Sequence, residues 1–264
     1  MTPTEHAVEP GRAASDHSEA PRLRLGVADY LTLGNALCGF LAVWALATAH
    51  SAHVASGVGG PLPRTAVATV VGLLLVAAAL DVLDGRVARK LGGSGMGAEL
   101  DNLADVVSFG FAPAFFFVVW GMGAGLPSAV PVMVGGTVLL AVIVRLARFS
   151  CQAPDARYFT GLPCPFGAMA VVTVVLIDPH VSVAVTAVLL ISWLMVSRMA
   201  YPKPRGRKLH AVLAALGAGV ALMALWGLGL PAGDVLIYLM SAAVLAVIVT
   251  VPFHVRAQRG SAEH

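Results

Sequence analysis

The stretch Leu80–Gly110 reads LDVLDGRVARKLGGSGMGAELDNLADVVSFG, and the runs on either side of it, Ala66–Ala79 and Phe111–Met122, contain no ionisable residue. Carboxylates within membrane-length apolar segments are expensive and default to a functional role. On a helix of 3.6 residues per turn, Asp81, Asp84, Gly85 and Ala88 fall within about 100° of one another. On the next helix, Gly97, Asp101, Asp105, Ser108 and Ala112 fall within about 80°. The glycine-rich turn LGGSGMG between them brings the second helix back antiparallel to the first. Four carboxylates are therefore expected to converge where two neighbouring spans end.

Working outward from that stretch, the chain reads as a membrane protein. Of its 264 residues 58% are hydrophobic and 12% charged, about half the charge of an average soluble domain. Eight apolar segments are expected as helices: Tyr30–Ala49, Ala66–Lys90, Ala98–Met122, Ala129–Phe149, Leu162–Ile177, Val181–Met199, Leu209–Leu230 and Val235–Val255. Most approach the roughly 20 residues that a span requires. The fold class is an all-α polytopic bundle, with Asp178-Pro179-His180 read as a tight turn and His180 as an interfacial loop residue rather than a ligand.

Lys and Arg concentrate on one side of this arrangement. Of the 17 basic residues, all but Arg64 fall in alternate connections or at the termini. The positive-inside rule then places both termini and the aspartates at the cytoplasmic face. Three regions are expected: residues 1–24 as a disordered cytoplasmic tail without a signal-peptide core, 25–200 as a six-span core, and 201–264 as a basic loop with two further spans. Cys38, Cys151 and Cys164 lack metal-ligand spacing and read as small hydrophobes. The basic residues form no stripe with interleaved aromatics, so nucleic acid is not an expected partner.

Converging anions repel unless a cation sits among them, and hard divalent ions such as Mg²⁺ or Mn²⁺ suit an all-oxygen set. Two such ions would bridge a pyrophosphate and stabilise a leaving phosphate. Arg89 is placed to neutralise phosphate. An Asp pair at i, i+3 alone would be a solvated helix end, and Asp84-Gly85 alone a turn. The combined pattern across a junction of two apolar helices is far more specific.

That pattern, Asp81, Asp84, Gly85, Ala88, Arg89, Gly97, Asp101 and Asp105, resembles the signature of the CDP-alcohol phosphotransferases, with seven residues rather than the frequent eight between the arginine and the second glycine. LTLGNALCGF, DVVSFGFAPAF, RLARFS and YFTGLPCPFGA resemble the bacterial membrane-type phosphatidylserine synthases within that family. The resemblance implies a homodimer in the plasma membrane that uses CDP-diacylglycerol and L-serine and releases CMP. It implies one metal on Asp81, Asp84 and Asp101, and a second on Asp81, Asp101 and Asp105, with Asp105 also the general base. Gly85, Arg89 and Ser94, with Ala88 and Gly97 beside them, would meet the CDP moiety, helped by Thr32 and Asn35 of the first span. Ser108, Arg145 and Arg148 are the serine- or phosphate-binding candidates. The rivals are a phosphorylated acceptor such as glycerol 3-phosphate or inositol phosphate, a prenyl transferase, and a cation transporter. A transporter would carry its acids near mid-membrane and on several helices.

Overall fold

The computed structural model describes residues 24–57, 60–151, 158–202, 207–229 and 233–260. Among them are eight helical rods and one pair of three-residue strands. The rods are α1 (Val27–Ala55), α2 (Arg64–Leu91), a third of three consecutive parts, then α5 (Ala129–Cys151), α6 (Cys164–Ile177), α7 (Val181–Val196), α8 (Arg207–Gly227) and α9 (Gly233–Gly260). The third rod comprises α3 (Gly97–Asp105), a π-helical segment Val106–Phe111, and α4 (Ala112–Gly123). The expected all-α bundle is present, with each helix within a few residues of its expected place.

Five rods are long and apolar enough to cross a membrane, and α6, α7 and the Gly233–Ala246 part of α9 are shorter apolar helices. The 14 residues of α6 rise only about 21 Å, short of the roughly 30 Å hydrocarbon core. The reason lies in its ends. Gly161, Leu162 and Pro163 hold non-helical backbone before it, and Asp178 stops it in a left-handed conformation at φ 50°. Large apolar side chains such as Trp44, Leu140 and Trp193 face outward at 59–62% exposure, as lipid-facing residues do in a multi-pass protein.

Sequence sets the helix ends by ordinary means. Pro63 precedes the first turn of α2, Arg89 and Lys90 lie in its last turn, where cations complement the helix dipole, and Gly92 ends it at φ 86°. The expected turn at Asp178-Pro179-His180 forms, and His180 caps α7 by accepting from the Ser182 N–H at 3.4 Å. Trp120 Nε1 donates to Asp178 at 2.7 Å, tying the end of α4 to that turn.

Helix α1 packs along α2 and crosses α3, α5 packs on α4 and α7, and α8 runs along α2. Phe109, Phe116, Phe117, Leu46 and Leu74 fill the interior. Beyond the helices, β1 (Tyr158–Thr160) pairs antiparallel with β2 (Ala200–Pro202). This ribbon joins the α5–α6 connection to the α7–α8 connection. Gly161 extends it, donating its N–H to Met199 at 2.7 Å with φ at 81°. A Cβ there would collide with the Met195 carbonyl oxygen. The expected tail 1–24 lies outside the described residues except Arg24, as do the basic-loop residues 203–206 and Arg157.

Candidate active site

Asp81 and Asp84 come from α2 and Asp101 and Asp105 from α3, and all four line one cavity of about 850 Å³. Asp81 stands 17 residues into α2, about 25 Å along its axis, and Asp101 and Asp105 occupy the first turns of α3. The aspartates thus gather at one end of the bundle. One ligand oxygen each from Asp81, Asp84 and Asp101 lies within 4.8 Å of the other two. Asp105 follows one turn beyond Asp101 and is 6% exposed.

The first helix holds these acids from behind. Thr32 Oγ1 donates to Asp84 Oδ2 at 2.7 Å, and Asn35 Nδ2 approaches Asp105 Oδ1 at 3.5 Å. A carboxylate accepts only, which fixes the amide nitrogen of Asn35 toward Asp105. Thr32 and Asn35 are both buried and do not line the cavity. The sequence placed them beside the CDP moiety; the structure places them against the acids.

Arg145 is the cation buried among these anions. It reaches the cavity from α5 at 7% exposure, and its charge acts on both Asp81 and Asp105. Its Nη1 donates to Cys164 Sγ at 3.0 Å. Arg86, Arg89, Lys90 and Asn102 complete the polar lining. Gly85 leaves space for the Arg89 guanidinium, which would meet a Cβ there at 3.4 Å. Much of the remaining lining is apolar, including Phe149, Phe166 and Met169, with Val212 and Leu216 from α8.

Several expected site residues stand elsewhere. Ser108 is fully buried and donates to the Asn35 carbonyl oxygen at 2.8 Å, away from the cavity lining. The cause is the π-helical turn that starts at Val106. A π turn advances fewer degrees per residue than an α turn, so Ser108 falls short of the face that carries Asp101 and Asp105. Arg148 donates to the Val196 carbonyl oxygen at 2.7 Å rather than entering the cavity. Ser94 accepts from the Met96 N–H at 3.3 Å within the turn, and neither it nor Ala88 nor Gly97 is part of the cavity lining.

Asp29 was missed. It is 1% exposed and accepts from the Gly26 N–H at 2.7 Å, and Gly97 passes so close that a Cβ would lie 3.2 Å from its Oδ1. An acid in the first turn of an apolar span was a visible signal. Asn102, Cys164, Val212 and Leu216 carried no comparable signal, because only their through-space neighbours mark them.

Residues 25–196 match the CDP-alcohol phosphatidyltransferase family. The chain belongs to that family. Among named relatives, the CDP-diacylglycerol–serine O-phosphatidyltransferase of Mycobacterium bovis is 32% identical over 228 residues, covering 76% of this chain and 72% of its own. The enzyme of that name from Bacillus subtilis is 30% identical over 173 residues, covering 65% and 87%. The archaetidylserine synthase of Methanothermobacter thermautotrophicus is 34% identical over 138 residues, covering 51% of this chain and 58% of its own length.

The family uses a divalent metal, and the residues present fit one. The donor set is all oxygen, as Mg²⁺ and Mn²⁺ prefer. Asp101 Oδ1 is buried with no hydrogen-bond partner among the described residues, which is costly for a carboxylate unless a cation takes it up.

Proposed function

We propose that this member of the CDP-alcohol phosphatidyltransferase family transfers the phosphatidyl group of CDP-diacylglycerol to the hydroxyl of L-serine, giving phosphatidylserine and CMP. The observation that carries the serine reading is Arg145, a buried guanidinium inside the carboxylate cavity. Serine brings a carboxylate, which a guanidinium binds through two parallel hydrogen bonds. A phosphorylated acceptor would call for a second cation beside Arg145 on α5, and Arg148 is withdrawn onto the Val196 carbonyl. The names of the relatives agree with an amino-acid acceptor.

In this reading the pyrophosphate of the donor lies against Arg89 and the backbone at Gly85. A divalent cation on Asp81, Asp84 and Asp101, with a second shared by Asp81, Asp101 and Asp105, would neutralise pyrophosphate charge when bound. Asp105 accepts the serine hydroxyl proton, with Asn35 holding its carboxylate in place. The serine oxygen bonds to the phosphorus that bears diacylglycerol. The bond from that phosphorus to the bridging oxygen breaks, and CMP leaves with the bonding electrons. The enzyme acts as a homodimer in the plasma membrane, with residues 25–200 as the catalytic core and the aspartates facing the cytoplasm.

CMP release by purified protein tests this, with CDP-diacylglycerol, Mn²⁺ or Mg²⁺, and serine, glycerol 3-phosphate or inositol phosphate in turn. Serine should support release and the phosphorylated alcohols should not; release with either of those alone would overturn the serine reading. Asp105→Asn should lower kcat by about 10²–10⁴. Near-normal turnover in that variant would remove Asp105 from the general-base role.

A further inference from the structure

Helix α8 lies wholly outside the family-matched residues 25–196, yet it supplies part of the cavity wall. Val212 and Leu216, one turn apart, both line the cavity that holds the four aspartates. They begin a stripe along one face of α8 that continues through Gly219, Met223 and Gly227. The rest of this stripe packs on α2. A Cβ on Gly219 would meet Leu75 at 3.1 Å, Met223 is 5% exposed, and a Cβ on Gly227 would meet Ala68 at 2.9 Å. Within this stripe Val212 and Leu216 line the cavity, between the Gly219–Leu75 approach and the Arg86–His210 contact.

Two polar contacts hold the helix in that register. At the aspartate end, Arg86, itself part of the cavity lining, donates to His210 Nε2 at 2.9 Å. At the other end, Arg64 pairs with Asp234 at 3.0 Å and lies 5.9 Å over the Trp226 ring, whose Nε1 donates to Asp234 at 2.7 Å. α8 is therefore seated along most of its length.

We propose that α8 is a wall of the lipid-donor site, with Val212 and Leu216 contacting the glycerol-proximal part of the acyl chains of CDP-diacylglycerol. The cavity is amphipathic. Its lining carries the aspartates with Arg86, Arg89 and Lys90, matched to a metal-bound nucleotide pyrophosphate. The same lining carries apolar surface from Val212, Leu216, Phe166 and Met169. A volume of about 850 Å³ suits a ligand of drug size. That holds a nucleotide head group and the start of the chains, and the chains continue into lipid past the apolar wall. This inference rests on CDP-diacylglycerol as the donor.

Two experiments test it. Val212→Trp and Leu216→Trp should each raise KM for a long-chain CDP-diacylglycerol by about tenfold. Their KM for the acceptor should stay within about twofold, and their penalty should persist with a dihexanoyl donor, which keeps the glycerol-proximal carbons. Leu225→Trp, which is on α8 but outside the cavity lining, should behave as wild type. An unchanged donor KM, or the same shift in Leu225→Trp, would overturn the proposal. The second experiment needs no turnover: CDP-diacylglycerol with a diazirine near the carbonyl end of one acyl chain should photolabel the peptide containing Val212 and Leu216, competed by unlabelled donor. Labelling confined to α1–α7 rules out the wall even if no acceptor supports CMP release, an outcome that would count against the proposed function instead.

Discussion

At the scale of single residues, the site is organised by what stands behind the carboxylates as much as by the carboxylates themselves. Thr32 is a small hydroxyl on an apolar helix, and its 2.7 Å bond to Asp84 holds one oxygen of that carboxylate in place. Thr32→Val keeps the shape and removes the donor. The divalent-ion concentration for half-maximal CMP release should rise by about 10–100-fold, as for other residues that orient metal ligands. An unchanged metal titration would mean that Asp84 needs no such support. Arg145 and Arg148 show why residue type alone was insufficient. They are three residues apart on α5, but one enters the cavity and the other turns to the Val196 carbonyl oxygen.

At the scale of elements, the crossing of α1 with the π-helical segment matters most. Gly39 permits it, since a Cβ there would lie 2.5 Å from Ser108 Oγ and 2.7 Å from its Cα. Small residues at such crossings are how membrane helices approach closely without a hydrophobic force between them. Gly39→Val would push the two helices apart and break the Ser108–Asn35 bond. Overpacking of this kind typically costs about 1–3 kcal/mol, so the thermal midpoint of the detergent-solubilised protein should fall measurably. An unshifted midpoint would show that the crossing relaxes freely. The π-helical turn was not legible in the sequence, because its residues Val106–Phe111 fit an α-helical pattern equally well. Its position directly after Asp105 agrees with the tendency of such turns to occur at functional sites.

At the scale of the whole molecule, polarity is distributed unequally between the two ends of the bundle. The aspartates, Arg86, Arg89 and Lys90 gather at one end, and Arg64, Asp178 and Asp234 stand at the other. If the first end faces the cytoplasm, Cys151 at the close of α5 is the reporter already present. It is exposed, whereas Cys164 is buried and Cys38 is half-buried. A membrane-impermeant maleimide should label Cys151 in inverted vesicles and leave it unlabelled in intact cells, with Ser128→Cys on the opposite connection giving the reverse. Labelling of Cys151 from outside would invert the topology. The same arrangement disfavours a transporter, since the acids that converge are at one end on two helices rather than along a path through the bundle.

Local periodicity determined a good deal by itself. Apolar runs of membrane length, ended by Pro, Gly and clustered Arg and Lys, marked eight helices close to their observed bounds, because each run must satisfy its own backbone hydrogen bonds in lipid. The four aspartates were equally legible, since charge in such a run is rarely tolerated without function and helical spacing puts them on shared faces. Tertiary structure decided the rest. Thr32 meets Asp84 across 52 residues, Asn35 meets Asp105 across 70, and Arg86 meets His210 across 124. No local repeat encodes such pairings; they follow from how rods pack, which depends on side-chain volume at every crossing at once. The carboxylates at Asp81, Asp84, Asp101 and Asp105 were written in the chain, and the walls around them were set by packing.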